Sequence, residues 1–597
     1  MFGPFSEYAR PYHRRIAVGV VAIALAQAAA ACIPLLLGRA IDSLDPVSSP
    51  APELDPLSAV AGYAMWILLL AVVVAAGGYA MRQLLGTTST GVEYDIRTAY
   101  FAHLLRMPLA FFQQHHTGDL MSRATNDLNS VRIFFTYGIR GIVETSLIFC
   151  FCIAMMCTID WQLALLVLIP LPLLSLFIIR MAALVHTRFK AIQEQFGTIS
   201  NFVQENLSGI RVVKAYALTD VQTRAFDKLN GDYLAMNHHL IRARAVYRPL
   251  SFLIASMGLG LNLWLGGRAV IDGQLGMGDF VAFNAYLTLL IRPIAYMGWV
   301  IDRFQRALVS MRRINEIMEV EPDIADQEPS QRNALVPSPP PETRANAGRI
   351  VGHIDFRHLS FAYNGTPVLR DIDLSIPAGS TLGLIGRVGS GKTTLARLIP
   401  RLIETGEGEL LIDGTRVREW PLGELRQAIG YVSQSPFLFS KTVAANVAYG
   451  VEEATFDEVL DAAEGAQLAS EVANFDQGFE TLVGERGVTL SGGQKQRATL
   501  ARAIMRQPRI LILDDALSAV DTHTEEAILR YLRGATTHCT TIIIAHRIST
   551  LRSADQIIVL DEGRIAERGD HDSLVSQGGL YAEIDERQRL AAELEAL

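Results

Sequence analysis

The chain has 597 residues, half of them hydrophobic and 19% charged, with a formal net charge of −8 at pH 7. That length exceeds one ordinary core, and so few charges among so many apolar residues call for membrane and soluble portions in one polypeptide. Lysines and arginines are scattered rather than gathered on a basic face with interleaved aromatics, which speaks against nucleic acid as a partner. The five cysteines have no metal-ligand spacing. Cys32, Cys150, Cys152 and Cys157 fall in or beside apolar runs and Cys539 on a predicted strand, where they read as small buried hydrophobes.

A bilayer core of about 30 Å needs roughly 20 apolar helical residues. Residues 16–38 and 57–81 meet that without a charge, and further runs lie at about 145–159, 161–179, 249–267 and 280–301, the last interrupted by Arg292. Six spans are predicted. The segments 82–140 and 180–248 between them carry an excess of arginine and lysine, which marks them as cytoplasmic. The opposite loop, AIDSLDPVSSPAPELDP, carries only acids, and the turns at 158–160 and around Asp272 are short. Both termini are then cytoplasmic in a multi-pass protein of the inner (plasma) membrane.

His13, Arg14 and Arg15 before an apolar run also resemble a secretory signal, but the run is longer than the roughly 7 to 15 residues of a signal core. Residues 10–15 with the preceding FSEYA predict a short amphipathic helix at the inner interface. Helical periodicity in YDIRTAYFAHLLRMPLAFF lets the cytoplasmic segments continue the spans as levers. TGDLMSRATNDL at 117–128 opens with a turn and helix-start signal, and in ENLSGIRVVKAYALTD Gly209 interrupts a helical pattern.

QEPSQRNALVPSPPPETRANAG has linker composition. The expected division is a membrane domain at 1–330, a linker at 331–349 and a soluble domain at 350–597. The terminal YAEIDERQRLAAELEAL reads as an amphipathic helix capping that domain.

The soluble half opens with GRVGSGKT at 386–393, after the buried strand TLGLIG. Gly386, Gly389, Ser390 and Gly391 let the backbone curl so that consecutive N–H groups face a β-phosphate, at the positive end of the helix begun by Lys392, Thr393 and Thr394. Lys392 is suited to neutralising phosphate charge and the Thr393 hydroxyl to ligating magnesium. Kinases and GTPases carry such a loop too. The apolar strand ILIL at 510–513 then presents Asp514 to magnesium.

LSGGQ at 490–494 narrows the choice. With FAY at 361–363, YVSQSPFLF at 431–439, VGERG at 483–487, SAVD at 518–521, IIIAHR at 542–547 and FFQQHHTGDLMSRATNDL in the first half, the chain resembles the ATP-binding cassette (ABC) exporters of half-transporter type. The resemblance implies a six-span α-helical transmembrane domain, type IV exporter-like, fused to an α/β P-loop nucleotide-binding domain, with ATP and Mg2+ as cofactors. It also implies roles. Tyr363 stacks on adenine, Gln434 touches magnesium and His546 contacts the γ-phosphate. Leu490, Ser491, Gly492, Gly493 and Gln494, with Asp521, serve nucleotide held by a partner's phosphate loop.

One position departs from the family pattern: after Asp514 the family places a Glu as general base, and here stands Asp515. Its carboxylate is set back by about 1 to 1.5 Å, and misplacement of that order costs on the order of 100-fold in rate. The chain is therefore similar to the weak-site subunit of bacterial heterodimeric multidrug exporters, and the expected partner is a second half-transporter with Glu at the base position. A homodimer with slow turnover and an ATP-gated or regulatory membrane subunit stay open. Glu144, Arg292, Trp264, Tyr286, Tyr296 and Trp299 are the candidates for contact with an amphipathic small-molecule or lipid substrate. A peptide also stays open.

Overall fold

The computed structural model describes residues 3–44, 56–326, 350–484, 487, 489–535 and 538–595. The expected linker, the loop at 45–55 and the side chain of Arg292 lie outside the described residues. The chain divides into two compact units, one of residues 1–105 and 116–320, the other of 106–115 and 321–597.

The first unit is helical. Its long elements are α1 (His13–Asp42), α2 (Pro56–Arg106), α3 (Ile139–Ile159), α4 (Pro170–Ser208), α5 (Thr219–Leu261) and α6 (Met277–Met318). At 51 residues, α2 is roughly 75 Å long, which carries it well beyond a bilayer. Its apolar flank, with Met65, Trp66, Leu68, Leu69 and Val72, is exposed, as a surface solvated by lipid requires. Among the described residues, five helical stretches are long and apolar enough to cross a membrane: Glu7–Asp42, Leu57–Arg106, Thr117–Ile159, Trp161–Ser208 and Thr219–Ile271. The sixth expected span falls on α6, which runs unbroken through it with Pro293 inside the helix; its described apolar portion is Met277–Ile291.

Helix ends follow local chemistry. Asp160 turns the chain after α3, its Oδ1 accepting from the N–H groups of Gln162 (2.8 Å) and Leu163 (3.0 Å). Gly209 breaks the helical run between Ser208 and the short helix Ile210–Ala215. Between Thr117 and Ile159 the helix widens twice into i→i+5 turns, at Arg123–Asp127 and Phe134–Gly138. The far ends of α1 and α6 are joined closely. Gly278 N–H donates to Asp42 Oδ1 (2.7 Å), and a Cβ on Gly278 would stand 2.0 Å from the carbonyl oxygen of Gly38. Only small residues allow that approach. The buried Tyr286 hydroxyl donates to the Ala31 carbonyl across the same helix pair (2.8 Å).

The second unit holds two sheets. Strands β1 (Ile354–Tyr363), β2 (Thr366–Ile376), β4 (Glu407–Ile412) and β5 (Thr415–Arg416) form an antiparallel sheet in the order β2-β1-β4-β5. The other sheet runs β10-β9-β3-β8-β7-β6, built from β3 (Thr381–Gly386), β6 (Ile429–Val432), β7 (Ile510–Asp514), β8 (Thr540–Ile544), β9 (Gln556–Asp561) and β10 (Arg564–Gly569). All its pairs are parallel except β10 with β9. Buried residues fill β3, β7 and β8 almost without interruption, the pattern of a parallel sheet covered on both faces. Cys539, expected on a strand, is buried immediately before β8. The phosphate loop leaves the carboxyl end of β3, and Asp514 closes the carboxyl end of β7, the edge where such folds bind ligands.

Candidate nucleotide site

The turn after β3 is fixed by packing. Gly386 adopts φ +154°, and a Cβ there would meet the Leu560 carbonyl oxygen at 2.1 Å, so only glycine fits between the strands. The loop then leads into the helix Lys392–Leu398. Lys392 is buried and its Nζ donates to the carbonyls of Gly386 and Arg387, both at 2.8 Å. Burial pulls its ammonium below the usual lysine range, against the attraction of Asp514 and Asp515. The Ser390 hydroxyl is buried with no hydrogen-bond partner among the described residues.

Thr393 Oγ1 donates to Asp514 Oδ1 at 3.0 Å, and the Tyr431 hydroxyl donates to Asp514 Oδ2 at 3.4 Å. Burial raises the Asp514 carboxyl, with its bonds to Thr393 and Tyr431 pulling the other way. Burial likewise pushes the Tyr431 hydroxyl up to about 12, assisted by the Asp514 charge. Asp515 follows with φ +51°, a left-handed conformation that aspartate tolerates better than most residues, and its N–H donates to the Ile544 carbonyl (2.9 Å).

A cavity of about 330 Å³ brings together Gly389, Gly391, Lys392, Thr393, Thr394, Gln434, Asp514, Asp515 and His546. Tyr363, the residues 490–494 and Asp521 do not line it. Tyr363 packs edge-on to Phe361 at 4.8 Å in the hairpin turn between β1 and β2. Ser491 caps the helix Gly492–Met505, with reciprocal bonds between Ser491 and Gln494, and Leu490 is buried before it. Asp521 Oδ2 accepts from Thr524 N–H (2.9 Å), which holds its carboxyl below the usual range.

Further residues, to which the sequence assigned no role, connect the segments around the cavity. Gln496 donates to the Asp515 carbonyl (3.4 Å) and to Ser518 Oγ (3.0 Å), and accepts from Ala519 N–H (2.9 Å). Arg547 donates to the Val520 carbonyl and to Glu525, each at 3.2 Å, while Thr550 donates to the same buried Glu525. Gln588, on the terminal helix Leu580–Glu595, grips the loop carrying His546. Its Nε2 donates to the His546 carbonyl (2.7 Å) and its Oε1 accepts from Ile548 N–H (2.9 Å). The Ser491/Gln494 pair was readable as a capping box three residues apart; nothing in the amphipathic pattern of the last helix singled out Gln588.

In the first unit a cavity of about 660 Å³ is lined by Gln27, Tyr137, Arg140, Glu144 and Tyr296, with Arg140 Nε donating to Glu144 Oε2 (3.0 Å). Of the other membrane candidates, Tyr286 is buried in helix packing, Trp264 is exposed and Trp299 stacks on Tyr296 at 5.0 Å.

A glycine loop at the end of a parallel strand, a lysine aimed into it and a carboxylate facing the loop's threonine define a P-loop nucleotide-binding domain, here in one chain with a membrane-spanning helical unit. The ABC transporter transmembrane region matches residues 16–294, and the ABC transporter domain matches residues 369–518. The probable multidrug resistance ABC transporter ATP-binding/permease protein YheI of Bacillus subtilis is 35% identical over 97% of this chain and 96% of its own length. An ATP-dependent lipid A-core flippase of Syntrophus aciditrophicus is 32% identical over 98% and 94% respectively. The structure of a bacterial Atm1-family ABC exporter with ATP bound superposes with a TM-score of 0.78 at 27% identity, covering 96% of this chain and 98% of that one. The chain belongs to the ABC transporters, as an exporter-type half-transporter with its membrane and ATP-binding regions in one polypeptide.

Proposed function

We propose that this chain is one half of an ATP-driven exporter or leaflet flippase for amphipathic small molecules or lipids. In this reading it contributes a weak ATPase site of its own and an intact signature to a different partner's competent site. The observation that carries the reading is Asp515 in the same cavity as Lys392, Thr393, Gln434, Asp514 and His546, which match the family pattern where Asp515 departs from it. Relatives named for multidrug resistance and for lipid A-core flipping support the substrate class.

The residues fit ATP with magnesium. Loop N–H groups and Lys392 would bind the phosphates, the unpartnered Ser390 hydroxyl has bonding capacity to spare, and Thr393, Asp514 and Gln434 offer the hard oxygen ligands magnesium prefers. Magnesium there would neutralise charge on the phosphate oxygens. His546 would hold the γ-phosphate, and Asp515 would orient water from a shorter side chain than the family's Glu. Signature residues 490–494 lie outside their own chain's cavity, which suits a site completed by a second cassette. In that arrangement the cassettes and both termini face the cytoplasm of a cell whose inner membrane holds the spans. The 660 Å³ cavity with Glu144 and Tyr296 is the place for substrate.

Steady-state ATP hydrolysis by the chain purified alone in lipid, beside Asp515→Glu, tests this. Near-inactivity of the parent with turnover raised on the order of 100-fold by Glu is the expected result. Brisk hydrolysis by the parent would point to a functional homodimer.

A further inference from the structure

A second cavity of the first unit, about 580 Å³, lies between α4, α5 and α6. That volume is within the roughly 300 to 1,000 Å³ of small-molecule sites. Ile178, Val185, Phe189, Tyr247 and Trp299 make its apolar walls, and Gly298 leaves space beside the indole. His186, Arg244, Asp302 and Arg306 line it as well. It shares no lining residue with the 660 Å³ cavity.

The charged residues sit at one level of the chain. Arg244 precedes the apolar run 249–267, Arg306 follows the run 280–301, and His186 follows the run 161–179. At 1.5 Å per residue each side chain is attached roughly 7 to 10 Å beyond a predicted span, at the depth of lipid headgroups. Of the apolar walls, Ile178, Tyr247 and Trp299 lie in or beside the predicted spans, toward the hydrocarbon.

Charge selects the occupant. Arg306 Nε donates to Asp302 Oδ1 (3.0 Å), which leaves its terminal nitrogens for another acceptor. Arg244 has no hydrogen-bond or ion-pair partner among the described residues. The guanidinium of Arg303 lies 5.2 Å from the centre of the Trp299 ring, and its Nε is buried without a partner. Two guanidinium groups line the cavity with Trp299 and a third lies against the indole, with Asp302 the one lining carboxylate, a field that repels a cationic amphiphile and attracts a phosphate, which arginine binds bidentately.

We propose that this cavity is a binding site for an anionic phospholipid of the cytoplasmic leaflet. Its phosphate sits between Arg244 and Arg306, and its proximal acyl carbons lie against Ile178, Tyr247 and Trp299. The assignment rests on the cytoplasmic orientation given under the proposed function.

Native mass spectrometry of the full chain, titrated with phosphatidylglycerol or with phosphatidylcholine, reads the site directly. The wild type retains phosphatidylglycerol at least about 10-fold better. Arg244→Gln and Arg306→Gln each cut that preference about 5-fold, the scale of one basic residue at a membrane surface, and the pair together abolishes it. The double lysine variant, Arg244→Lys with Arg306→Lys, keeps most of it. Gly298→Leu, which alters no charge but fills the space beside Trp299, lowers phosphatidylglycerol retention. Equal retention of the two lipids by the wild type overturns the proposal, as does a preference that survives in the double glutamine variant. Binding of a fluorescent ATP analogue to the same wild-type sample separates the two readings. Nucleotide binding without lipid preference sinks the lipid site alone, whereas loss of nucleotide binding sinks the transporter reading whatever lipid is retained.

Discussion

The phosphate loop at 386–393 and the helix junction around Asp119 both hold charges at close range, but by different means. In the loop, eight consecutive residues set the geometry, and backbone groups do most of the positioning. At the junction, side chains nearly two hundred positions apart meet. Asp119 accepts from Arg123 Nε (2.8 Å) and from Arg313 (2.5 Å), Arg313 lies 2.9 Å from Asp127, and Ser310 Oγ donates to Asp127 (2.8 Å). Arg123 also donates to the Arg313 carbonyl and to Glu316 (3.2 Å). The first arrangement is made to exchange a ligand; the second ties the start of a long helical stretch to the end of α6.

Lys392→Ala separates these roles most sharply. The lysine is buried with its charge disfavoured by burial, which offsets the loss of its bonds to the Gly386 and Arg387 carbonyls, while nucleotide loses a charge-assisted contact. ATP affinity, measured by titration of the full chain in lipid, falls about 100-fold, with the thermal unfolding midpoint nearly unchanged. A matching collapse of the midpoint would make the lysine an architectural residue.

Arg313→Ala is the converse. It leaves the mostly buried Asp127 with Ser310 as its remaining partner and removes one of two guanidinium groups from Asp119. The expected loss is about 2 kcal/mol of stability, the scale of hydrogen bonds to charged groups. It is read as a lower unfolding midpoint with ATP affinity preserved. Altered affinity with an unchanged midpoint would contradict the tie.

The same contrast explains what the sequence revealed. The phosphate loop, Asp514 and the 490–494 segment stand out in the sequence because the roles proposed for them rest on short runs whose residue types and spacing are dictated by backbone geometry. Five of the six apolar runs, legible by their length, fall on helices long and apolar enough to cross a membrane among the described residues; the sixth falls on α6, a continuous helix with Pro293 inside it. Arg313 reads locally as one more charge on an exposed helix face, and the partners that give it meaning lie in a distant stretch. Gln588 was hidden for the same reason, its grip on the His546 loop arising only when the last helix packs there.

Gln588→Ala asks whether such a remote contact reaches the chemistry. Two neutral hydrogen bonds of about 1 kcal/mol each hold the His546 loop. Their loss lowers kcat about 10-fold in a preparation that hydrolyses ATP, with KM for ATP much less affected. Gln588→Glu, which keeps the acceptor for Ile548 N–H and loses the donor to the His546 carbonyl, falls between. Equal changes in kcat and KM would instead indicate damage to nucleotide binding as a whole.

The smallest effect concerns the proton on Asp514. Burial raises this carboxyl above its ordinary value of 3.8, so in the fold it takes up a proton at a higher pH than an exposed aspartate does. Its ionised form carries a stability cost above the folded pKa, and that cost is relieved as pH falls through it. In the proposed role, magnesium would need the ionised form. Protons therefore compete for the site on acidification sooner than at an exposed aspartate, and Mg2+-dependent hydrolysis weakens as the pH approaches the raised value. The Tyr431 hydroxyl, 3.4 Å from Asp514 Oδ2, stabilises the ionised carboxylate. Tyr431→Phe removes that bond and moves the acid limb of the pH–rate profile upward, an effect higher magnesium concentration reverses. An acid limb that stays put in Tyr431→Phe, or ignores magnesium, would assign the limb to another group.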